Sequence, residues 1–127
     1  MLWHFPEDAE LCAQLSLVLA GLGAEGFDPF VGRKLFALAR AAGLFDLTVI
    51  AQPYHLIAGR ADARTLELWD TKLDIALPTA TKSLGSLEAA RRLKQRFLDY
   101  LHREDTLTYS TVFTVVGRRS VDSLSLV

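Results

Sequence analysis

Apolar residues recur at helical spacing along the first part of the chain. The first set is spaced i, i+4, i+7 and i+11, as on one face of a helix, and consists of Leu11, Leu15, Val18 and Leu22. A proline and two acidic residues at positions 6–8 precede this set and suit the first turn of a helix, whose dipole favours negative charge. A first helix is therefore predicted from about Pro6 into the glycines around Leu22.

A second helix is predicted after Asp28, an N-cap residue that is followed by proline at the first helical position. Gly43 suits the position just beyond its C terminus. Its apolar positions are Val31, Leu35, Leu38 and Ala42. The next segment, from about Asp46 to Ala58, is rich in β-branched and aromatic residues and predicts a strand, in which Pro53 requires a bend or an edge position.

Two more helices and a second strand follow. Asp62 caps a helix with an apolar face that Pro78 is expected to end, and Ser86 caps the next helix. The two apolar faces are Leu66, Trp69, Leu73 and Ala76, and then Leu87, Ala90, Leu93, Phe97 and Leu101. Leu107–Arg118 is a strand rich in threonine and valine, and residues 120–127 are expected to be irregular.

This order of helix, helix, strand, helix, helix, strand predicts an α+β fold. We expect one domain spanning residues 1–127, in which two long antiparallel strands pack with four helices. Half of the residues are apolar and the net charge is -1, which disfavours a nucleic-acid partner and a membrane surface. The single cysteine, Cys12, suits a reducing compartment, and no signal peptide is recognisable, so a cytoplasmic location is expected.

The glycine-rich segment GLGAEG, residues 21–26, matches the spacing of a dinucleotide-binding loop. In such a loop the helix begins within the glycines, so that its free N–H groups face the phosphate. Here the next helix is predicted to begin only near Pro29, and no acidic residue follows the strand residues LTVI to bind a ribose. We therefore interpret the glycines as the end of the first helix and a turn.

Other candidate chemistry in the sequence is sparse. The three histidines, His4, His55 and His102, lie in different elements without metal-ligand spacing, and Cys12 with His55 and a carboxylate is disfavoured as a nucleophile system. The basic cluster at residues 91–96 is interpreted as a solvated helix face. Aromatic side chains are interpreted as core residues, with lining of a small apolar pocket as the alternative.

The segment GFDPFVGRKLFALARAAGLFDLTV, followed by a helical insertion and then TLTYSTVFTVVGRR, resembles the C-terminal third of small-molecule class I S-adenosylmethionine-dependent methyltransferases. In that family, Asp-Pro and then Gly-Arg precede a leucine-rich helix that ends in Ala-Gly-Leu or Ala-Gly-Phe, ahead of the penultimate strand. The stretch WHFPEDAEL resembles the segment after the fifth strand of these enzymes. The likeness covers most of residues 3–119.

The resemblance implies a substrate-binding and assembly part of such an enzyme, one that cannot transfer a methyl group alone. The family's cofactor-binding residues precede this region, so no catalytic, cofactor-binding or metal-binding residue is assigned here, and S-adenosylmethionine would require an N-terminal half. The alternative is a free-standing α+β binding or dimerisation module without enzymatic activity. By resemblance, a small apolar ligand would lie near Trp3, Phe30, Arg33, Tyr54, His55 and Trp69.

The last strand is expected to carry an interface. In the family it lies antiparallel between the fifth and the penultimate strands, and only the penultimate strand was identified in this sequence. One edge would then remain unpaired along a run of high β-propensity, which favours pairing with a second copy into a four-stranded sheet. A homodimer is expected through Thr111, Val112, Phe113, Thr114, Val115 and Val116, and an N-terminal methyltransferase half is the alternative partner.

Overall fold

The computed structural model of the protein describes residues 2–119, which form four helices and three strands. The predicted α+β class is confirmed. The chain-order sequence of elements is β1 (Leu2–Phe5), α1 (Ala9–Ala24), α2 (Val31–Ala41), β2 (Phe45–Ala58), α3 (Ala63–Leu84), α4 (Leu87–Leu101) and β3 (Leu107–Arg118). The tail of residues 120–127, predicted to be irregular, lies outside the described residues.

The sheet has three antiparallel strands rather than the predicted two, in the order β1-β3-β2. The additional strand, β1, pairs with the first four residues of β3, from Leu2 opposite Ser110 to Phe5 opposite Leu107. Four residues are too few to give a clear alternating pattern, which is why the sequence did not predict β1. The last strand, β3, therefore lies between two neighbours.

Three helices, α1, α3 and α4, cover one end of the sheet and enclose the core. The largest fully buried side chains include Leu11 on α1, Phe97 and Leu101 on α4, and Thr108 on β3. Of the helix faces predicted from spacing, those of α1 and α4 contribute most of the buried apolar residues. The face of α3 is partly buried and packs around this core.

Helix α3 continues through Pro78, so the prediction that this proline ends the helix is wrong. A proline inside a helix removes one backbone hydrogen bond and crowds the preceding turn. In α3 the next two residues, Thr79 and Ala80, are buried, and the Thr79 hydroxyl donates a hydrogen bond to Glu25 at the end of α1. Tertiary packing therefore outweighs the local preference, and the helix ends at Leu84, capped by Gly85 with a φ of 83°.

Helix α2 lies against β3 and β2 but buries little of its predicted apolar face. Val31 is 45% exposed and Leu38 is 53% exposed, and α2 contains no fully buried residue. A Cβ added at Gly32 would lie 3.1 Å from the Phe113 ring, so α2 approaches the sheet closely at this point. The side chain of Asp28 accepts a hydrogen bond from the Phe30 N–H ahead of the helix, which begins at Val31.

Strand β2 is an edge strand, as the presence of Pro53 requires. Pro53 lies opposite Thr111, and because proline has no N–H, its nitrogen faces away from β3. The register then shifts between Tyr54 and Ile57, where His55 has a φ of 51°. The predicted edge position is therefore confirmed, and a β-bulge follows it.

Candidate functional site: an apolar cavity beside strand β1

An apolar cavity of about 390 Å³ lies between β1, α1 and α3. This volume is in the range of pockets that hold small molecules. Its wall is mostly aliphatic and aromatic, with a few polar groups: Leu2, Trp3, His4, Glu7, Cys12, Leu15, Ser16, Leu19, Trp69, Leu73 and Phe97. We call this space the apolar cavity.

Strand β1 is held in place at its C-terminal end by polar contacts with α4. The Tyr100 hydroxyl donates a hydrogen bond of 2.8 Å to the Pro6 carbonyl, and the Tyr100 ring meets the His4 ring edge-on at 4.9 Å. Arg96 donates two hydrogen bonds to Asp8, the N-cap of α1, at 2.7 and 2.9 Å. These contacts fix one wall of the apolar cavity relative to the core.

Within the cavity wall, His4 and Cys12 are in contact. The Nε2 atom of His4 lies 3.3 Å from the Cys12 sulfur. The other ring nitrogen, Nδ1, is buried and has no hydrogen-bond partner among the described residues. Burial lowers the pKa of His4, against the opposing charges of Asp8 and Glu7, so the imidazole is neutral near pH 7.

This contact was not predicted, because only His55 was proposed as a histidine partner of Cys12 from the sequence. His4 lies opposite the fully buried Thr108 on β3, and side chains directly opposite in a sheet share a face. Cys12 follows Leu11, the first buried residue of α1, by one position. A histidine on the inward face of a four-residue strand could have been found only by recognising β1 itself.

The six predicted substrate residues fall into two groups. Trp3, Phe30 and Arg33 line a small groove of about 150 Å³ between β1, β3 and the start of α2. The Arg33 guanidinium lies 5.0 Å from the centre of the Phe30 ring. Trp3 also lines the apolar cavity, so it is shared by the groove and the cavity.

Tyr54, His55 and Trp69 form the second group, a stack at the bulge of β2. The ring centres of Tyr54 and His55 are 3.8 Å apart, and those of His55 and Trp69 are 4.9 Å apart. Lys72 lies 2.8 Å from His55 Nε2, and burial and the Lys72 charge lower the pKa of His55. Only Trp69 of this group reaches the apolar cavity, so the predicted residues do not form one site.

The predicted interface residues 111–116 lie on β3 beyond the end of its pairing with β1. Among the described strands, β1 covers this edge of β3 only as far as Ser110. We call the same edge along residues 111–116 the free edge. Two of its side chains, Val112 and Val116, are 42% and 55% exposed. Strand β1 occupies the first third of this edge, and the predicted run 111–116 lies beyond it.

The basic cluster of α4 is in part a solvated face, as predicted, since Arg91 and Arg92 are exposed, and in part a set of ion pairs to other elements. Arg92 pairs with Glu88, Lys94 pairs with Asp70 and Asp74 of α3, and Arg96 pairs with Asp8 and Glu10. The last two residues therefore tie α4 to α3 and to the start of α1.

Residues 2–119 contain no group of three His, Cys, Asp or Glu side chains arranged to hold a metal ion. None of the four described helices is both long enough and apolar enough to cross a membrane. No protein-family profile matches the chain, and no curated protein matches it significantly in sequence.

Proposed function

We propose that this chain is the acceptor-binding part of a class I methyltransferase-like fold, and that it binds a small apolar molecule in the apolar cavity. The observation that carries the proposal is the sheet order β1-β3-β2, with the last strand antiparallel between two neighbours. In the family that the sequence resembles, the last strand has the same position. The short strand β1 then corresponds to the place of the fifth strand.

Exposed apolar residues on the sheet also support this proposal. Ile50 of β2 and Val112 and Val116 of β3 lie on one face of the sheet, because Ile50 is opposite Thr114, and each is 42–55% exposed. Apolar side chains grouped on a sheet surface are expected where further structure packs. The rest of a methyltransferase-like fold would supply such a cover.

The GLGAEG segment does not fit the phosphate groups of a dinucleotide. The GLGAEG segment forms the last turn of α1, and the N–H groups of Glu25 and Gly26 bond to carbonyls of that helix. A helix C terminus presents carbonyl groups and the negative end of the dipole, which is unsuited to an anionic group. The proposed activity of this chain is therefore acceptor binding alone.

The chemistry of the cavity wall defines the ligand class. Aliphatic and aromatic side chains predominate, and His4, Cys12, Ser16 and Glu7 supply the polar groups. We infer a compact, mostly apolar ligand that carries a hydroxyl or carbonyl group able to bond with the unpaired His4 Nδ1.

N-phenyl-1-naphthylamine, a neutral apolar dye whose emission rises in apolar surroundings, tests this proposal. We expect saturable binding with a Kd of roughly 10–100 μM, as for a ligand of modest size in an apolar pocket. Both tryptophans of the chain, Trp3 and Trp69, line the cavity, so quenching of their emission should follow the same curve. Dye emission that rises linearly without saturation would refute binding in a defined site.

A matched pair of variants locates the bound dye. Ser16 is exposed and lines the cavity, so Ser16→Trp should obstruct the opening and weaken dye binding at least tenfold. The neighbouring Leu17 is exposed and does not line the cavity, so Leu17→Trp should bind the dye as the native chain does. Equal affinities of the two variants would place the dye elsewhere.

The free edge supports a second candidate function, a homodimerisation module. Strand edges that lack a partner favour pairing with another chain, and the most frequent closed assembly is a two-fold dimer. Because β1 occupies β3 up to Ser110, such a pairing is confined to the residues beyond it, which include the predicted run 111–116. The contact would therefore be shorter than the full strand and would join two three-stranded sheets.

Proline substitution tests the dimer at one backbone position. The Pro53–Thr111 register places the Thr111 N–H on the side of β3 away from β2, so Thr111→Pro should remove a donor of the free edge while leaving the β2 pairing. The neighbouring Val112 faces β2 with its N–H, so Val112→Pro should instead disturb the β2–β3 sheet. Light scattering that gives a monomer for the native chain across micromolar concentrations would refute this candidate.

A further inference from the structure

We propose that Cys12 and His4 form a nucleophilic pair in the apolar cavity that bonds covalently to apolar electrophiles of the α,β-unsaturated carbonyl class. The inference goes beyond acceptor binding, although it uses the same cavity. It depends on three observations: the contact between the two side chains, the apolar wall around them, and the unpaired ring nitrogen of His4.

The geometry suits proton transfer from sulfur to the imidazole. His4 Nε2 lies 3.3 Å from the Cys12 sulfur, within reach of a hydrogen bond to sulfur. The lowered pKa of His4 keeps the ring neutral, and a neutral ring can accept the thiol proton. For Nε2 to accept the thiol proton, the single N–H of the neutral ring must lie on the buried Nδ1, which has no partner among the described residues.

The reaction balances with no other reagent. The thiol proton passes to His4 Nε2 while the sulfur electron pair forms a bond to the β-carbon of the ligand. The electrons of the carbon–carbon double bond move toward the carbonyl to give an enolate, and His4 returns the proton to the α-carbon. The net result is addition of S–H across the double bond.

The surroundings select the ligand. Leu15, Leu19 and Leu73 are among the apolar residues of the cavity wall. An apolar reagent is concentrated in such a space, whereas a charged reagent loses hydration when it enters. A ligand carbonyl oxygen would also give the His4 Nδ1–H an acceptor during the transfer.

Alkylation kinetics of the full chain at pH 7 test the proposal, with N-phenylmaleimide as the apolar reagent and iodoacetate as the charged one. The chain has one cysteine, so each adduct seen by intact-mass spectrometry lies on Cys12. For each reagent, the rate of Cys12 alkylation in the folded chain is divided by the rate in the urea-unfolded chain. This ratio removes the intrinsic reactivity of the reagent toward a thiol. We expect a ratio of about ten for N-phenylmaleimide and below one for iodoacetate.

Two variants separate the role of His4 from a general effect on folding. Glutamine can bond to the thiol but cannot take its proton, so His4→Gln should lower the N-phenylmaleimide rate about tenfold. His102 is exposed and lies outside the cavity, so His102→Gln should react at the native rate. Equal rates for native chain and His4→Gln would overturn the base role of His4.

A measurement on the native chain alone covers the case in which His4→Gln does not fold. The N-phenylmaleimide rate should saturate with reagent concentration, and N-phenyl-1-naphthylamine should protect Cys12 competitively. A ratio of one or less for both reagents, or no protection by the bound dye, overturns the nucleophilic pair. If the dye binds saturably while Cys12 fails to react, only the thiol inference fails and acceptor binding stands.

Discussion

The glycines of the GLGAEG segment have different roles in the packing of α1, and alanine substitutions should separate them. A Cβ added at Gly21 would lie 2.3 Å from the Ser83 hydroxyl oxygen and 3.2 Å from the Thr79 methyl group, both on α3. A Cβ added at Gly23, one half-turn later in the same helix, meets nothing within 4 Å. The close approach of α1 and α3 therefore requires glycine at position 21 but not at position 23.

The magnitudes follow from two opposing effects. Alanine in place of glycine within a helix stabilises by roughly 0.5–1 kcal/mol, with the lower end expected so near the C terminus. Overpacking costs about 1–3 kcal/mol where neighbouring atoms must move. Gly23→Ala should thus raise the free energy of unfolding by about 0.5 kcal/mol. The free energy of unfolding of Gly21→Ala should be about 1–3 kcal/mol lower than that of Gly23→Ala.

Urea denaturation followed by tryptophan emission measures both variants, and Ser83→Ala provides the control. Removing the Ser83 hydroxyl leaves the Ser83 Cβ, 3.6 Å from the added atom, at ordinary contact distance. Gly21→Ala should therefore cost less in the Ser83→Ala background than in the native chain. If Gly21→Ala stabilises the native chain as much as Gly23→Ala does, the close α1–α3 contact is wrong.

Three further predictions concern the core, acid stability and cofactors. Phe97 is fully buried, so Phe97→Ala should cost about 3–5 kcal/mol in urea denaturation, and Trp69→Ala should cost less because Trp69 is partly exposed. Hydrogen bonds from Arg96 and from the Leu11 N–H lower the pKa of Asp8 in the folded chain. Ionised Asp8 therefore stabilises the fold above about pH 4, and this stabilisation is lost as the pH falls through the lowered pKa. Asp8→Asn should therefore reduce the fall of the urea midpoint on acidification. Calorimetry of the chain with S-adenosylmethionine, NAD or ATP should show no saturable binding at tens of micromolar, and a Kd below about 10 μM would contradict our interpretation of the glycines.

Long elements with strong end signals could be predicted from the sequence. Ser86 and Asp62 accept hydrogen bonds from backbone N–H groups three residues later, as expected of N-caps, and the helices begin beside them. The predicted apolar face of α4 is core from Ala90 to Leu101, whereas Leu87 at its start is exposed. Local patterns sufficed where propensity, capping and burial agreed.

The failures arose where distant residues decide the outcome. Pro78 stays helical because Thr79 and Ala80 are buried in the packed layer of α1, α3 and α4, and no local signal reports that burial. The apolar face of α2 is regular in sequence, yet Val31 and Leu38 remain exposed, since α2 contacts β3 and β2 along a limited surface. Spacing predicts which side chains share a face but not what that face meets.

The candidate site was missed for a related reason, which is that most of it depends on β1. This strand supplies Trp3 and His4 to the cavity wall and pairs with the first third of β3. Its contacts with α4, through Tyr100 and the adjoining Asp8, set the position of His4 next to Cys12. Strand β1 contributes to the cavity wall, supplies His4 to the nucleophilic pair and pairs with β3. A change that detaches β1 should therefore abolish both dye binding and thiol reactivity. Ser16→Trp, in contrast, should obstruct the cavity and leave the β1–β3 pairing intact.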